Sequence, residues 1–209
     1  MISTESIKKY SLFFPGNWID HEDRDWAFRI YLLLSLVENQ FSEAVIAQSL
    51  YKSVTPTDYL ELIKTWDDEN TKYNMCVRSM YAKLCVYALD GIGKLLGVLS
   101  EDPCLPKSAK DYCRDFENRF GIIRDIRNSL QHLEDRARGL GPKNNKIDTN
   151  VYVLGGLKDN KFCATIANGS CGEIEISEEM LVTVKEIIQK IINSFTWIGL
   201  GGVRIPPKS

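Results

Sequence analysis

Residues 124–139 read RDIRNSLQHLEDRARG, and the fold turns on how this stretch is organised. Counting from just before it, the apolar residues Ile123, Ile126, Leu130, Leu133 and Ala137 recur in alternating steps of three and four. That is the spacing of one helix face packed into a core. Arg124, Asn128, Gln131, His132 and Asp135 fall on the opposite face. Arg127 sits at the boundary, with a side chain long enough to swing to the polar side. A helix is therefore predicted from KSAKDYC, which begins at Lys107, to Gly139, with Gly141 and Pro142 ending it. On a continuous helix Asn128 and His132, four apart, are direct neighbours.

Working outward, helical periodicity also runs from about Asp23 to Ser53 through Trp26, Ile30, Leu34, Val37 and Phe41. It restarts at TPTDYLEL, with Thr55 or Thr57 as cap and Pro56 in the first turn. From there it is either one long helix reaching GKLLGVL or two pieces broken near DDEN, and Gly91, Gly93 and Gly97 soften its end. SEDPCLP is a breaker before the third helix. Beyond Pro142 the character changes: β-branched residues with DN and NGS turns predict a hairpin or three-stranded meander over about 150–176. Ser177, Glu178 and Glu179 open a last amphipathic helix through MLVTVKEIIQKIINSF. The residues from 197 to 209 are expected to be an irregular tail. The outcome is one mainly α domain over 1–209: four main helices within about 20–140 and 177–196, with a small antiparallel β insertion before the last.

Composition narrows the function classes. Of 209 residues 44% are hydrophobic and 26% charged, which argues against a disordered or fibrous chain. A net charge of −2 supplies no global field to draw in nucleic acid, so any such contact needs a local patch. One is present: Arg119, Arg124, Arg127, Arg136, Arg138, Lys143 and Lys146 stand against Asp125, Glu134 and Asp135. None of the six cysteines forms a C-x-x-C pair, and no histidine lies at ligand spacing from a pair. No zinc site or other metal is expected. The opening MISTESIKKY does not read as a signal peptide, and the run IYLLLSLV is too short to span a bilayer. A cytoplasmic protein with reduced thiols and no membrane partner is expected.

The polar face carries the chemistry. An imidazole titrates near neutrality and can take or give a proton in a transition state. A guanidinium offers forked, permanently charged donors to phosphate oxygens. An amide can fix an imidazole tautomer or bind phosphate. In RNA the nucleophile is already present: the 2′-hydroxyl attacks the adjacent phosphorus and leaves a 2′,3′-cyclic phosphate. Neither a metal nor a protein nucleophile is required.

RNSLQH, residues 127–132, resembles the Arg-Asn-x-x-x-His signature of the HEPN superfamily, in which an arginine is followed by four to six residues and then a histidine. Arg127 and His132 match the paired positions, and Asn128 matches the polar residue that often follows the arginine. The resemblance implies a four-helix-bundle core and, in catalytic members, a metal-independent endoribonuclease whose site is composite across a symmetric homodimer. It implies no cofactor, RNA as substrate, and a toxin or antiviral role with an antitoxin or defence partner. Arg127, His132 and Asn128 are then the catalytic candidates, with Arg124, Arg136, Arg138 and Lys143 as candidate RNA contacts. Glu134 stands where some toxin members carry a tyrosine that a partner nucleotidyltransferase modifies, which puts that route of inactivation in doubt here. Asp125 is a candidate for the acidic residue often found near the arginine.

Bland alternatives exist for each residue. His132 also fits a surface histidine near a helix C-terminus, favoured there by the dipole, and Arg127 fits an ordinary ion-pair partner. His21 is expected to cap or precede the first helix. Three functions follow: an endoribonuclease, a catalytically silent HEPN-like module that binds RNA or nucleotide or scaffolds a complex, and a helical interaction protein with a coincidental motif.

Overall fold

A computed structural model describes residues 9–54, 68–149, 152–158 and 160–203. The caps expected at Thr55 or Thr57 lie outside these residues. The described chain is mainly helical with small antiparallel sheets. Its helices are α1 (Arg24–Ser53), α2 (Glu69–Ser100), α3 (Lys107–Phe120), α4 (Ile122–Gln131), α5 (Leu133–Ala137) and α6 (Glu178–Ile192). The strands are β1 (Phe13–Phe14), β2 (Trp18–Ile19), β3 (Gly156–Lys158), β4 (Lys161–Thr165), β5 (Cys171–Glu175), β6 (Trp197–Ile198) and β7 (Gly202–Val203). The chain divides into two compact units, each assembled from separate stretches: residues 1–43, 88–121 and 178–209, and residues 44–87 and 122–177.

Both long helices open in the same way. The Asp23 carboxylate accepts the Trp26 backbone N–H at 2.9 Å, and the Asp68 carboxylate accepts that of Thr71 at 2.7 Å. Each satisfies a donor that the first helical turn leaves without an internal partner. These bonds, more than any nearby charge, hold both carboxyls below the usual aspartate value. His21 lies beside the first cap as expected: its Nδ1 accepts the Asp23 N–H at 3.1 Å, and its ring tilts against Trp26.

In the first unit α3 packs on α6. Cys113, Phe116 and Phe120 are buried on one helix, and Leu181, Val184, Ile188 and Ile191 on the other. Each fully buried aliphatic side chain contributes about 1.5–3 kcal/mol relative to exposure. The three glycines expected to soften α2 do not end it, since the helix continues to Ser100. Gly91 marks a close approach instead, because a Cβ there would run into the Gln40 amide.

Within the stretch expected to be an irregular tail, residues 197–203 form paired strands. β6 pairs antiparallel with β2, and β7 with β1. Two-residue strands carry no periodicity, so side-chain anchors supply what a hydrophobic pattern would have announced. The Gln189 amide accepts from the Phe13 N–H at 2.8 Å and donates to the Phe13 carbonyl at 2.7 Å. Phe14, fully buried, meets the Trp197 ring edge-on at 5.6 Å, and the Trp197 indole donates to the Ile192 carbonyl at 2.8 Å.

In the second unit the expected meander is present in the order β3-β4-β5, and α4 packs on β4 and β5. Phe162, Ala164, Gly172 and Ile174, all buried, make one face of the β4–β5 hairpin. A Cβ at Gly172 would lie 3.0 Å from the Ile126 side chain, which puts that face against the apolar stripe of α4. Arg78 ties α2 to the turn of the meander, donating to the Tyr51 hydroxyl at 2.9 Å and to the Asn160 amide oxygen at 3.3 Å.

Among the described helices, α1 has the length and apolar composition to cross a membrane; 44% of its most apolar window is buried within the protein. Ala27, Ile30, Leu34, Val37 and Phe41 are the buried positions, the stripe of a core helix.

Candidate functional site

The helix predicted over the motif is not continuous. At Gly121 the backbone stays helical, with φ −56° and ψ −30°. At His132 it leaves the helix, with φ −120° and ψ 43°. The His132 N–H donates to the Ser129 carbonyl at 3.3 Å, closing α4 in a tighter turn, and its own carbonyl accepts the Arg136 N–H at 3.0 Å to start α5. The helical register that would place His132 one turn above Asn128 therefore stops at Gln131, and the junction orients the imidazole.

Part of the apolar stripe follows the expected pattern. Ile123, Ile126 and Leu130 are buried, whereas Leu133 is half-buried and Ala137 exposed. Arg136 takes the interior position of α5 and is 4% exposed. Its guanidinium donates to the Ser129 hydroxyl at 3.3 Å and to the Leu140 carbonyl, bridging the helix break. Arg136 was expected among the RNA contacts; the structure corrects this, since a guanidinium used inside the protein is not offered to a phosphate. With the helix broken at His132, Arg136 takes a buried position on α5.

The remaining candidates lie at or near the surface. Arg127, half-buried, donates to the Asn128 side-chain oxygen at 3.1 Å. His132 is 57% exposed, and its Nδ1 stands 4.0 Å from the Asp135 carboxylate. The same carboxylate pairs with Arg138, whose Nε also donates to the Glu134 carbonyl at 3.3 Å. Arg124, Asp125 and Lys143 are exposed. Lys143 and Asn144 adopt positive φ, 57° and 61°, in a tight loop where Leu140 bridges to Lys146. That loop begins at Gly139, with φ 71°, where a Cβ would stand 2.8 Å from the Tyr152 hydroxyl. Glycine is needed there on both counts.

The site thus consists of a guanidinium–amide pair on α4 and an imidazole–carboxylate pair at the α4–α5 junction. Asp135 is the residue that the motif did not single out. It lies three residues after His132 on the same polar face, a spacing that makes neighbours on any helix.

Two groups among the described residues bring three metal-ligating side chains within 4.8 Å of one another: His132, Glu134 and Asp135, and Cys163, Cys171 and Glu173. The first overlaps the motif, and its Asp135 is engaged by Arg138. The second was missed, because strand pairing rather than chain spacing assembles it.

No protein-family model matches the chain, and no curated protein or solved structure does either.

Proposed function

We propose that the protein is a HEPN-type, metal-independent endoribonuclease acting in the cytoplasm, with a four-helix-bundle core and a site composed across a symmetric homodimer. The observation that carries this reading is the exposed His132 with Asp135 at its Nδ1, a few residues beyond a guanidinium held by its neighbouring amide. Drawn from 4.0 Å to hydrogen-bond distance, that carboxylate would favour the tautomer that leaves the other ring nitrogen free for proton transfer.

In this mechanism an imidazole takes the 2′-hydroxyl proton as the 2′-oxygen attacks phosphorus. The P–O5′ bond breaks, and a second acid protonates the departing 5′-oxygen. Arg127 stabilises the charge that builds on the non-bridging oxygens. One His132 per chain supplies only one of the two proton-transfer groups, and a two-fold axis near the motif supplies the other. Arg124, Arg138 and Lys143, all at the surface, would steer RNA. A toxin or antiviral effector with a neutralising partner is the biological setting this activity suits.

The test incubates purified protein with total tRNA and a structured RNA in EDTA, beside Arg127→Ala and His132→Ala. Cleavage that persists in chelator, leaves 2′,3′-cyclic phosphate ends and disappears in both variants supports the enzyme. RNA left intact by the wild type overturns it. Salt-dependent RNA binding lost in Arg127→Ala would then favour the silent, RNA-binding module.

A further inference from the structure

The β4–β5 hairpin has two faces, and the one away from α4 carries the sharpest unassigned chemistry in the described chain. Register places Cys163 opposite Glu173 and Thr165 opposite Cys171. Cys163 and Cys171 are therefore diagonal neighbours on one face, with Glu173 beside both. Cys163 is buried, while Cys171 and Glu173 are exposed. The Thr165 hydroxyl accepts the Val153 N–H at 2.8 Å and closes the inner end of the face.

We infer that Cys163, Cys171 and Glu173 form a binding site for a thiophilic divalent cation, zinc foremost, that staples β4 to β5. Their ligand atoms lie within 4.8 Å of one another. A tetrahedral zinc ion with bonds of about 2.0–2.3 Å needs ligands separated by about 3.5–3.8 Å, so rotamer adjustment alone closes the set. A disulfide fits less well. Diagonal residues on paired strands stand about 7–8 Å apart at Cα, beyond the usual disulfide span. Three protein ligands with two of them at the surface leave the fourth position to water.

The charged groups facing this cluster are Lys158, Lys161, Glu173 and Glu175. Lys161 occupies Glu173 at 3.1 Å, and the incoming ion takes over that carboxylate. The C-x-x-C test on the chain misses the site because the cysteines flank a turn and meet through register.

The experiment titrates Co2+ and Zn2+ into the reduced, chelator-stripped full-length chain. The expected result is about one ion per chain, a near-ultraviolet thiolate-to-cobalt charge-transfer band that zinc abolishes, and release of about two protons per ion. Cys171→Ser and Cys163→Ser lose the band, Glu173→Gln keeps it with at least about tenfold weaker binding, and His132→Ala is unchanged. Cys171 is exposed, so its variant decides the matter even if Cys163→Ser folds poorly. A band retained in Cys171→Ser, or cobalt bound without a band, overturns the site. None of these readouts depends on RNA cleavage, so this inference and the proposed function fail separately.

Discussion

Arg127, Asn128 and His132 lie within six consecutive residues, whereas Cys163, Cys171 and Glu173 stand together through the register of two strands. Both groups belong to the same compact unit. Chain spacing suggests the first and is silent on the second. Yet the helical cluster is the one whose geometry departs from expectation, because a helix register holds only while the helix continues. A break at a single residue, His132, rearranges its neighbours. Strand register tolerates no such drift once an apolar face is buried, since a one-residue slip would turn Phe162 and Ile174 outward.

The largest effect expected from this contrast is on activity. His132→Ala should lower RNA cleavage by about a hundredfold to ten-thousandfold, the usual worth of a positioned acid–base group. Asp135→Asn should cost about fivefold or less, because an exposed pair at 4.0 Å is worth at most about 1 kcal/mol. Single-turnover rates on one defined RNA check both. Equal losses in the two variants would mean that Asp135 does more than orient the ring.

Next comes the support beneath the motif. Ile126 is fully buried where α4 meets the β4–β5 hairpin. Ile126→Ala should destabilise the protein by about 2–5 kcal/mol, read from the shift in urea midpoint at constant slope. A change below about 1 kcal/mol would mean that the hairpin does not carry the helix, and the two clusters would then be structurally independent.

Arg136 tests the break itself. Arg136→Met keeps much of the side chain's bulk but removes the donors to Ser129 and Leu140. Leaving the buried Ser129 hydroxyl and the half-buried Leu140 carbonyl without this partner costs about 1–3 kcal/mol. The loss should show in thermal unfolding and as faster amide exchange over residues 138–147. A neutral outcome would return Arg136 to the list of candidate RNA contacts.

These residues also mark what was legible in advance. The β meander, the start of α6 and the apolar stripe through Leu130 follow from periodicity and turn chemistry, because each is set within a few residues of chain. The interior position of Arg136 and the strand pairing within residues 197–203 were not legible. The first goes with the helix break at His132. The second depends on Gln189 and Trp197 finding partners far away in sequence. Of the candidate site, Arg127, Asn128 and His132 came from the motif, while Asp135, on the same face three residues from His132, was not paired with it.

The smallest effect falls on the most local feature, the aspartates that open α1 and α2. Both carboxyls sit below their ordinary value of 3.8 because a backbone N–H binds the charged form. Each therefore contributes stability that is present above pH 3.8 and lost as pH falls through the lower folded value. Asn retains the acceptor without the charge. Asp23→Asn and Asp68→Asn should thus show slightly lower thermal midpoints than wild type at pH 7, and the gap should close in acid. Full-chain melts at stepped pH values check this. A gap that stays constant with pH would show that the acceptor matters and its charge does not. The caps would then be purely geometric, like the strand register on which Cys163 and Cys171 depend.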